Sequence, residues 1–281
     1  MKPFIDLHTH STCSDGLLTP TALLSLAARR GLAAIALTDH DTVAGIPEAL
    51  AHSRVIGVEF LSGIEISTSL AGVSLHILGY GFSHEHPGFL AFLTRLQQAR
   101  HQRNQGILER LQALGISITS NDLAEIAGDQ VGRPHFARLL AQKGLAKNAR
   151  DAFSRYLKRG GPAFVEHAKP QAREVIRQIE QAGGLAVLAH PVCSDPDLEK
   201  IPDLVAQLKE YGLAGIETFY PTHSKKVCRF LQTLAAQHGL LMSGGTDYHG
   251  DPQSATPLGG NAKTLRVPLQ LLHDIKQRLA R

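Results

Sequence analysis

Asp6-Leu7-His8-Thr9-His10, running on into Ser11-Thr12-Cys13-Ser14-Asp15, opens the chain on a pattern that suits a metal site. The apolar residues around it predict a short buried strand over residues 3–7. Residues two apart on a strand point to the same face, so His8 and His10 project together. Two imidazoles side by side at a strand end can chelate one ion. Asp6 shares their face and is expected to hold one imidazole in the required tautomer. Cys13 is read as a small buried filler rather than a soft ligand. The plain alternative is a surface strand with two incidental histidines, and the rest of the chain decides between them.

Outward from this stretch the pattern repeats. Thr19-Pro20 caps and starts a helix, Leu23, Leu24, Leu26 and Ala27 form its buried stripe, and Gly31 ends it. Ala33-Ala34-Ile35-Ala36-Leu37 is a continuous apolar run, a strand buried on both faces, and it ends in Thr38-Asp39-His40-Asp41-Thr42. Strand, helix and strand, with His and Asp at the strand ends, predict an α/β barrel or open parallel sheet whose site lies at the carboxyl ends of the strands. Residues 55–66 read as the next strand, reaching Gly63-Ile64-Glu65-Ile66-Ser67. The turn at Ala71-Gly72 then predicts a hairpin into residues 73–80, which contain His76.

From about Pro87 the strand signals stop. Residues 89–114 read as one long amphipathic helix with Arg100, His101, Arg103 and Asn104 at its middle, and residues 121–127, 134–143 and 148–157 as shorter helices. This block, 87–165, is predicted to be a mainly helical insertion in a barrel made of 1–86 and 166–281. After Pro170 the alternation resumes. Strands are expected at 185–189, 215–219 and 240–243, running into His190-Pro191, Tyr220-Pro221-Thr222-His223 and Gly244-Gly245-Thr246-Asp247-Tyr248-His249, with helices at 171–182, 203–211, 224–238 and 268–281.

A chain of 281 residues with 43% apolar content can bury one large core. A net charge of +4 writes no strong attraction to nucleic acid into the whole chain. Three cysteines far apart argue against a disulfide framework and for a reducing compartment. No targeting segment is expected ahead of Asp6, and the longest apolar runs fall far short of a membrane span. A cytoplasmic location is expected, with no membrane association and no obligate protein partner.

The polar residues at strand ends are His8, His10, Asp15, His40, Glu65, His76, His190, His223, Asp247 and His249. These are too many for one tetrahedral ion, and they suit two or three divalent ions bridged by a carboxylate such as Glu65 or Asp247. Without metal, such a cluster would carry a heavy desolvation cost.

The ordered set Asp6-Leu7-His8-Thr9-His10, Thr38-Asp39-His40-Asp41-Thr42, Gly63-Ile64-Glu65-Ile66, His76-Ile77-Leu78-Gly79-Tyr80, Ala189-His190-Pro191 and Gly245-Thr246-Asp247-Tyr248-His249 resembles the motifs of the PHP (polymerase and histidinol phosphatase) family. The resemblance implies a distorted (β/α)7 barrel and three divalent ions for phosphoester hydrolysis. Manganese is expected first; zinc, iron or magnesium suit the same donors. It places His8, His10, Glu65 and Asp247 on one ion, Glu65, His76 and His190 on a second, and Asp15, His40 and His249 on the third. Gly132-Arg133-Pro134-His135 is similar to the branch acting on nucleoside 3′,5′-bisphosphates and short 5′-phosphorylated RNA. The alternatives are a histidinol-phosphate phosphatase and a non-catalytic polymerase-associated module.

Catalytic roles are expected for Asp247 and His223. His223 would protonate the leaving oxygen, bind phosphate, or cap the following helix. Arg133, with His135 beside it and Arg103 and Asn104 closing over it, is the expected pocket for the second phosphate. Arg100 and Arg103 could instead form a solvated helix face.

Overall fold

The computed structural model describes residues 3–126, 130–166, 168–251, 255–261 and 265–281. Its elements follow the alternation read from the sequence. The first half runs β1 (Phe4–Asp6), α1 (Pro20–Arg29), β2 (Ala34–Leu37), α2 (Ile46–Ile56), β3 (Glu59–Leu70) and β4 (Val73–Tyr80). A helical block comes next: α3 (Pro87–Ala113), α4 (Ser120–Ala124), α5 (Arg133–Gln142), α6 (Ala149–Ala152) and a π-helical turn (Phe153–Leu157). The chain closes with α7 (Ala172–Gln181), β5 (Leu185–Leu188), α8 (Pro191–Ser194), α9 (Ile201–Glu210), β6 (Gly215–Phe219), α10 (Lys225–Gln237), β7 (Leu241–Gly244), β8 (Val267–Pro268) and α11 (Gln270–Leu279).

One eight-stranded sheet takes the order β7-β6-β5-β4-β3-β2-β1-β8. The strands from β1 to β7 curl round until the Leu7 amide donates to the Gly244 carbonyl at 3.1 Å, so the barrel nearly closes between its first and last strands. β8, a two-residue strand not read from the sequence, lies antiparallel on the start of β1. All other neighbours are parallel except β4, which is antiparallel to both β3 and β5.

That exception is the predicted hairpin. Ala71 (φ 49°) and Gly72 (φ 77°) both take left-handed backbone, as a two-residue turn with right-handed strand twist demands. The hairpin strands are long, so Glu65 and His76 both reach the same end of the barrel as the parallel strands' carboxyl termini.

One strand reading changes. Residues 55–66 do not form one strand, because Val55 and Ile56 end helix α2 and β3 begins at Glu59. Val55 is 80% exposed, so its apolar side chain was a poor guide to a buried strand. Pro47 in the first turn and Gly57, left-handed at the C-cap, are the local signals that delimit α2. The helix expected at 121–127 is α4, closed at its start by a Thr119–Asp122 capping box; Ala127 lies outside the described residues. The helix expected at 148–157 is split, α6 passing into the π turn.

Phe89, Phe92 and Leu93 of α3 pack with Ile64, Ile77, Val175 and Ile179 in the core beneath the sheet. Further along the same helix, Ile107, Leu108 and Leu111 join Phe136, Leu140 and Leu157 in a separate apolar cluster. Helix α3 thus ties the helical block to the barrel while carrying Arg100, Arg103 and Asn104 across its mouth.

Candidate metal centre

The site begins where β1 ends. The Thr9 hydroxyl donates to the Ala36 carbonyl at 2.6 Å, and the Thr9 amide donates to the Thr38 hydroxyl at 3.1 Å. With Thr9 sewn to β2, His8 and His10 on either side of it turn into the barrel mouth. The loop that follows is tied by Asp39, which accepts from the Ser11 amide (2.7 Å), the Ser11 hydroxyl (2.6 Å) and the Ser14 hydroxyl (2.6 Å). These bonds place Asp15. A Cβ at Gly16 would meet the His10 carbonyl, so only glycine lets the loop fold back this tightly.

Asp6 does something other than expected. It touches no imidazole. Its carboxylate accepts from the Thr246 amide (2.9 Å), the Thr246 hydroxyl (2.5 Å), the Gly259 amide (2.8 Å) and the His8 amide (3.3 Å). Asp6 therefore ties the Gly245-Thr246 corner that delivers Asp247. Gly245 sits where a Cβ would meet the His8 amide and Cβ.

The tautomer of His8 is set by Glu217, which sequence reasoning passed over. Glu217 is wholly buried; it accepts from His8 Nδ1 at 3.0 Å and from the His190 amide at 2.7 Å. The signal was present in Gly215-Ile216-Glu217-Thr218-Phe219, a lone acid inside an otherwise apolar strand with its side chain on the inner face. With Nδ1 as donor, the lone pair of His8 is on Nε2 and faces the site.

Three groups of side chains then converge, each with its candidate ligand atoms within 4.8 Å of one another: His8, His10, Glu65 and Asp247; His10, Asp15, His40 and His249; and His40, Glu65 and His76. His190 Nε2 stands 2.9 Å from Glu65 Oε1 and joins the third group there. Glu65 is the hub. Its Oε2 is 3.3 Å from both His8 Nε2 and His10 Nε2 and 3.2 Å from His40 Nδ1, and its Oε1 is 2.6 Å from His76 Nδ1. Asp247 Oδ1 lies 3.4 Å from His8 Nε2 and 3.1 Å from His10 Nε2. All nine metal ligands expected from the sequence thus lie in one cluster. The difference lies in His10 and His40, each of which stands between groups.

The chemistry of the cluster calls for a cation. His8 Nε2, His10 Nε2, His40 Nδ1 and Asp247 Oδ1 are buried without hydrogen-bond partners. Lone pairs facing carboxylate oxygens at these distances need protons or metal ions between them. Burial would raise the Glu65 carboxyl, but the imidazoles of His40, His76 and His8 outweigh it and hold it well below the usual range. Asp247 is likewise held down, by His8, His10 and His249 against burial. Burial would lower His10, yet Asp247 and Glu65 raise it to about 10. His190 (φ 23°) and Asp247 (φ 52°) adopt left-handed backbone with ordinary side chains, at a cost on the order of 1–3 kcal/mol each.

Residues 6–184 match the PHP domain. The chain belongs to the PHP family. It is 33% identical over 279 residues to a 3′,5′-nucleoside bisphosphate phosphatase of Chromobacterium violaceum, covering 99% of this chain and 98% of that one. It is 36% identical over 244 residues to a 5′-3′ exoribonuclease of Haemophilus influenzae, covering 87% and 89%. A solved C. violaceum amidohydrolase with bound sulfate superposes with a TM-score of 0.87 at 33% identity, over 98% of this chain and 96% of that one. This PHP protein is a metal-dependent hydrolase of phosphoester bonds on an α/β barrel.

Around the PHP centre, the remaining expected residues separate. His223 does not cap helix α10, because Ser224 does, accepting from the Val227 amide at 3.2 Å. His223 Nδ1 is 2.9 Å from the Thr218 carbonyl, while Nε2 is buried with no partner. Burial lowers its pKa, so the ring is neutral near pH 7 with its lone pair on Nε2. The Tyr220 hydroxyl, also unread from the sequence, donates to Asp247 Oδ2 at 3.0 Å.

Arg100 and Arg103 form no solvated face. Arg100 makes a largely buried ion pair with Asp41. Arg103 is 6% exposed, and its Nε and Nη2 have no partners. Burial, with Arg100 and Arg133 nearby, lowers its pKa to about 9. Arg103 and Arg133 line one cavity of about 230 Å³ with Ser74, Phe164, Val165, Lys169 and the Arg159–Glu166 ion pair. Asn104 lies outside that cavity's lining, and its Nδ2 donates to the Val131 carbonyl at 2.9 Å. His135 is outside it as well; its Nδ1 accepts the Gly132 amide at 2.9 Å and caps α5. Among the described residues, no helix is long and apolar enough to cross a membrane.

Proposed function

We propose that the chain removes the 3′-phosphate from nucleoside 3′,5′-bisphosphates, giving a nucleoside 5′-monophosphate and phosphate, and that it also acts on short 5′-phosphorylated RNA. The observation that carries this reading is the pairing of a carboxylate–imidazole cluster with a separate basic cavity lined by Arg103, whose Nε and Nη2 lack hydrogen-bond partners, and Arg133. A substrate with two phosphates matches a site with a metal centre and a separate arginine pocket. The names of the C. violaceum and H. influenzae relatives support the same substrate class.

His8, His10, Glu65 and Asp247 would hold one ion, Glu65, His76 and His190 a second, and Asp15, His40 and His249 a third. We take Mn²⁺ as the first choice, since mixed imidazole and carboxylate donors suit it; Zn²⁺, Fe²⁺ or Mg²⁺ suit them too. Bound ions supply charge neutralisation for the phosphoryl oxygens and an activated water at neutral pH. The chain's own residues do the rest. Tyr220 fixes Asp247 through Oδ2, leaving Oδ1 toward His8 and His10. His223 accepts a proton at Nε2 once a phosphate dianion lies beside it, and then donates to the phosphoryl group or the leaving O3′. Arg103 and Arg133 take the 5′-phosphate.

Asn104 and His135 act one step back, holding the segment that leads into Arg133. We treat residues 87–165 as an insertion that brings these groups to the barrel mouth, and the cytoplasm as the place where such nucleotides are met. The test is a substrate panel of adenosine 3′,5′-bisphosphate, histidinol phosphate and a short 5′-phosphorylated RNA, assayed before and after chelation. The bisphosphate is expected to be preferred, and chelation to abolish turnover until divalent metal is restored. Undiminished hydrolysis after thorough chelation, or a preference for histidinol phosphate, would overturn the reading.

A further inference from the structure

Helix α5 separates two cavities. Its first residue, Arg133, lines the small arginine pocket. Five positions on, Arg138 lines a second cavity of about 600 Å³, together with Asp15, His249, Phe153, Lys147 and Asp251. Asp15 and His249 belong to one of the converging metal groups, so this cavity opens directly onto the centre. Its volume falls within the range of about 300–1,000 Å³ typical of small-ligand sites. Arg138 Nε and Nη2 are buried and without hydrogen-bond partners. These two adjacent donors form the side-on fork that takes a phosphate bidentately. Burial lowers the pKa of the group, while the carboxylates of Asp15 and Asp251 act to raise it.

A nucleoside bisphosphate leaves this fork unused, since one of its phosphates goes to the metal centre and the other to Arg103 and Arg133. A longer substrate supplies a third anion. Resting on the reading above, we propose that this cavity is the subsite for the nucleotide downstream of the scissile phosphate, with Arg138 holding the phosphate that follows it. The reaction is the same displacement. Water adds to phosphorus and the P–O3′ bond of the first nucleotide breaks. O3′ takes one proton, and the phosphoryl group stays on the 5′ oxygen of the next nucleotide. The shortened chain then carries a 5′-phosphate and is itself a substrate, so a single site trims stepwise.

The test compares adenosine 3′,5′-bisphosphate with the 5′-phosphorylated triadenylate pApApA in the wild type and in Arg138→Ala. The ratio of kcat/KM for pApApA to that for the bisphosphate is expected to fall about 10- to 100-fold, mainly through KM, the size of one charge-assisted contact. Ala141→Phe, which narrows the same cavity from the next turn of α5, should lower the ratio in the same direction; thermal melting checks that both variants fold. An unchanged ratio in both folded variants would overturn the subsite. Should the wild type fail on the bisphosphate, it is the parent reading that falls. The subsite is then decided by calorimetric binding of pApApA to metal-free protein, where weaker binding by Arg138→Ala supports it and equal binding overturns it.

Discussion

Glu217→Gln exchanges one carboxylate oxygen for an NH2 group in a side chain that solvent does not reach, and its effect on the metal centre can be worked out from hydrogen bonds alone. Glu217 accepts twice, from His8 Nδ1 at 3.0 Å and from the His190 amide at 2.7 Å. A glutamine has one acceptor oxygen to offer. The backbone amide of His190 can only donate, so that oxygen must stay with it, and the new NH2 group faces His8. His8 then either turns Nδ1 into an acceptor, which moves its proton to Nε2 and removes a metal-facing lone pair, or keeps its tautomer and loses the bond. A hydrogen bond to a charged group contributes about 1.5–3 kcal/mol, which is a factor of about 10–150 in an equilibrium constant. Metal affinity should therefore fall about 10- to 100-fold, in line with the usual cost of removing such a supporting partner. Chelator-competition titration of Mn²⁺ measures this, with a thermal melt to show that the barrel is intact. A folded variant whose metal affinity stays within twofold of wild type would refute the tautomer argument.

Arg133→Ala should raise KM for a nucleoside bisphosphate at least tenfold more than for a monophosphate ester, from the loss of one bidentate contact; equal effects on both would count against a second-phosphate pocket. Gly245→Ala pushes a methyl group against the His8 backbone and should remove both metal binding and several degrees of melting temperature, whereas Gly72→Ala in the open hairpin turn should cost stability only, as calorimetry with and without metal would show. Lys143 and Thr119 bond Asp122 and lower its carboxyl to about 2. A depressed carboxyl contributes stability that is present above its ordinary value near 4 and is lost as pH falls toward 2. Asp122→Asn should flatten that part of the pH-dependence in urea melts, and an unaltered profile would show that the capping box is idle.

Much of the centre could be read along the chain because strand geometry is local. Period-two spacing put His8 beside His10; Asp247 and His249 repeat the spacing, but there a left-handed turn at Asp247, beyond the end of β7, brings them together. An apolar run ending in His40 or His190 announces a strand that carries a candidate ligand to its tip. The hairpin at Ala71-Gly72 was equally legible, since a glycine stands between two alternating runs. Helix α2 escaped because its buried stripe is thin and Val55, in its last turn, faces water. Glu217 and Tyr220 escaped for a different reason. What they do depends on partners 209 and 27 residues away in the chain, and nothing near them in sequence names those partners. Asp6 misled for the same reason: the right face of β1 was inferred, but not the loop from Gly245 that fills it.

By itself, then, the sequence determined the kinds of groups at each strand tip, and hence a barrel with a cation site at its mouth, because a residue's face on a strand follows from its own position. Only the tertiary structure decided how those groups are shared. His10 and His40 stand between clusters, Glu65 serves as the hub, His135 caps a helix, and Arg138 borders a cavity that the linear order does not suggest. These are distances between elements far apart in the chain, set by how the strands close into a barrel and how helix α5 packs beside its mouth.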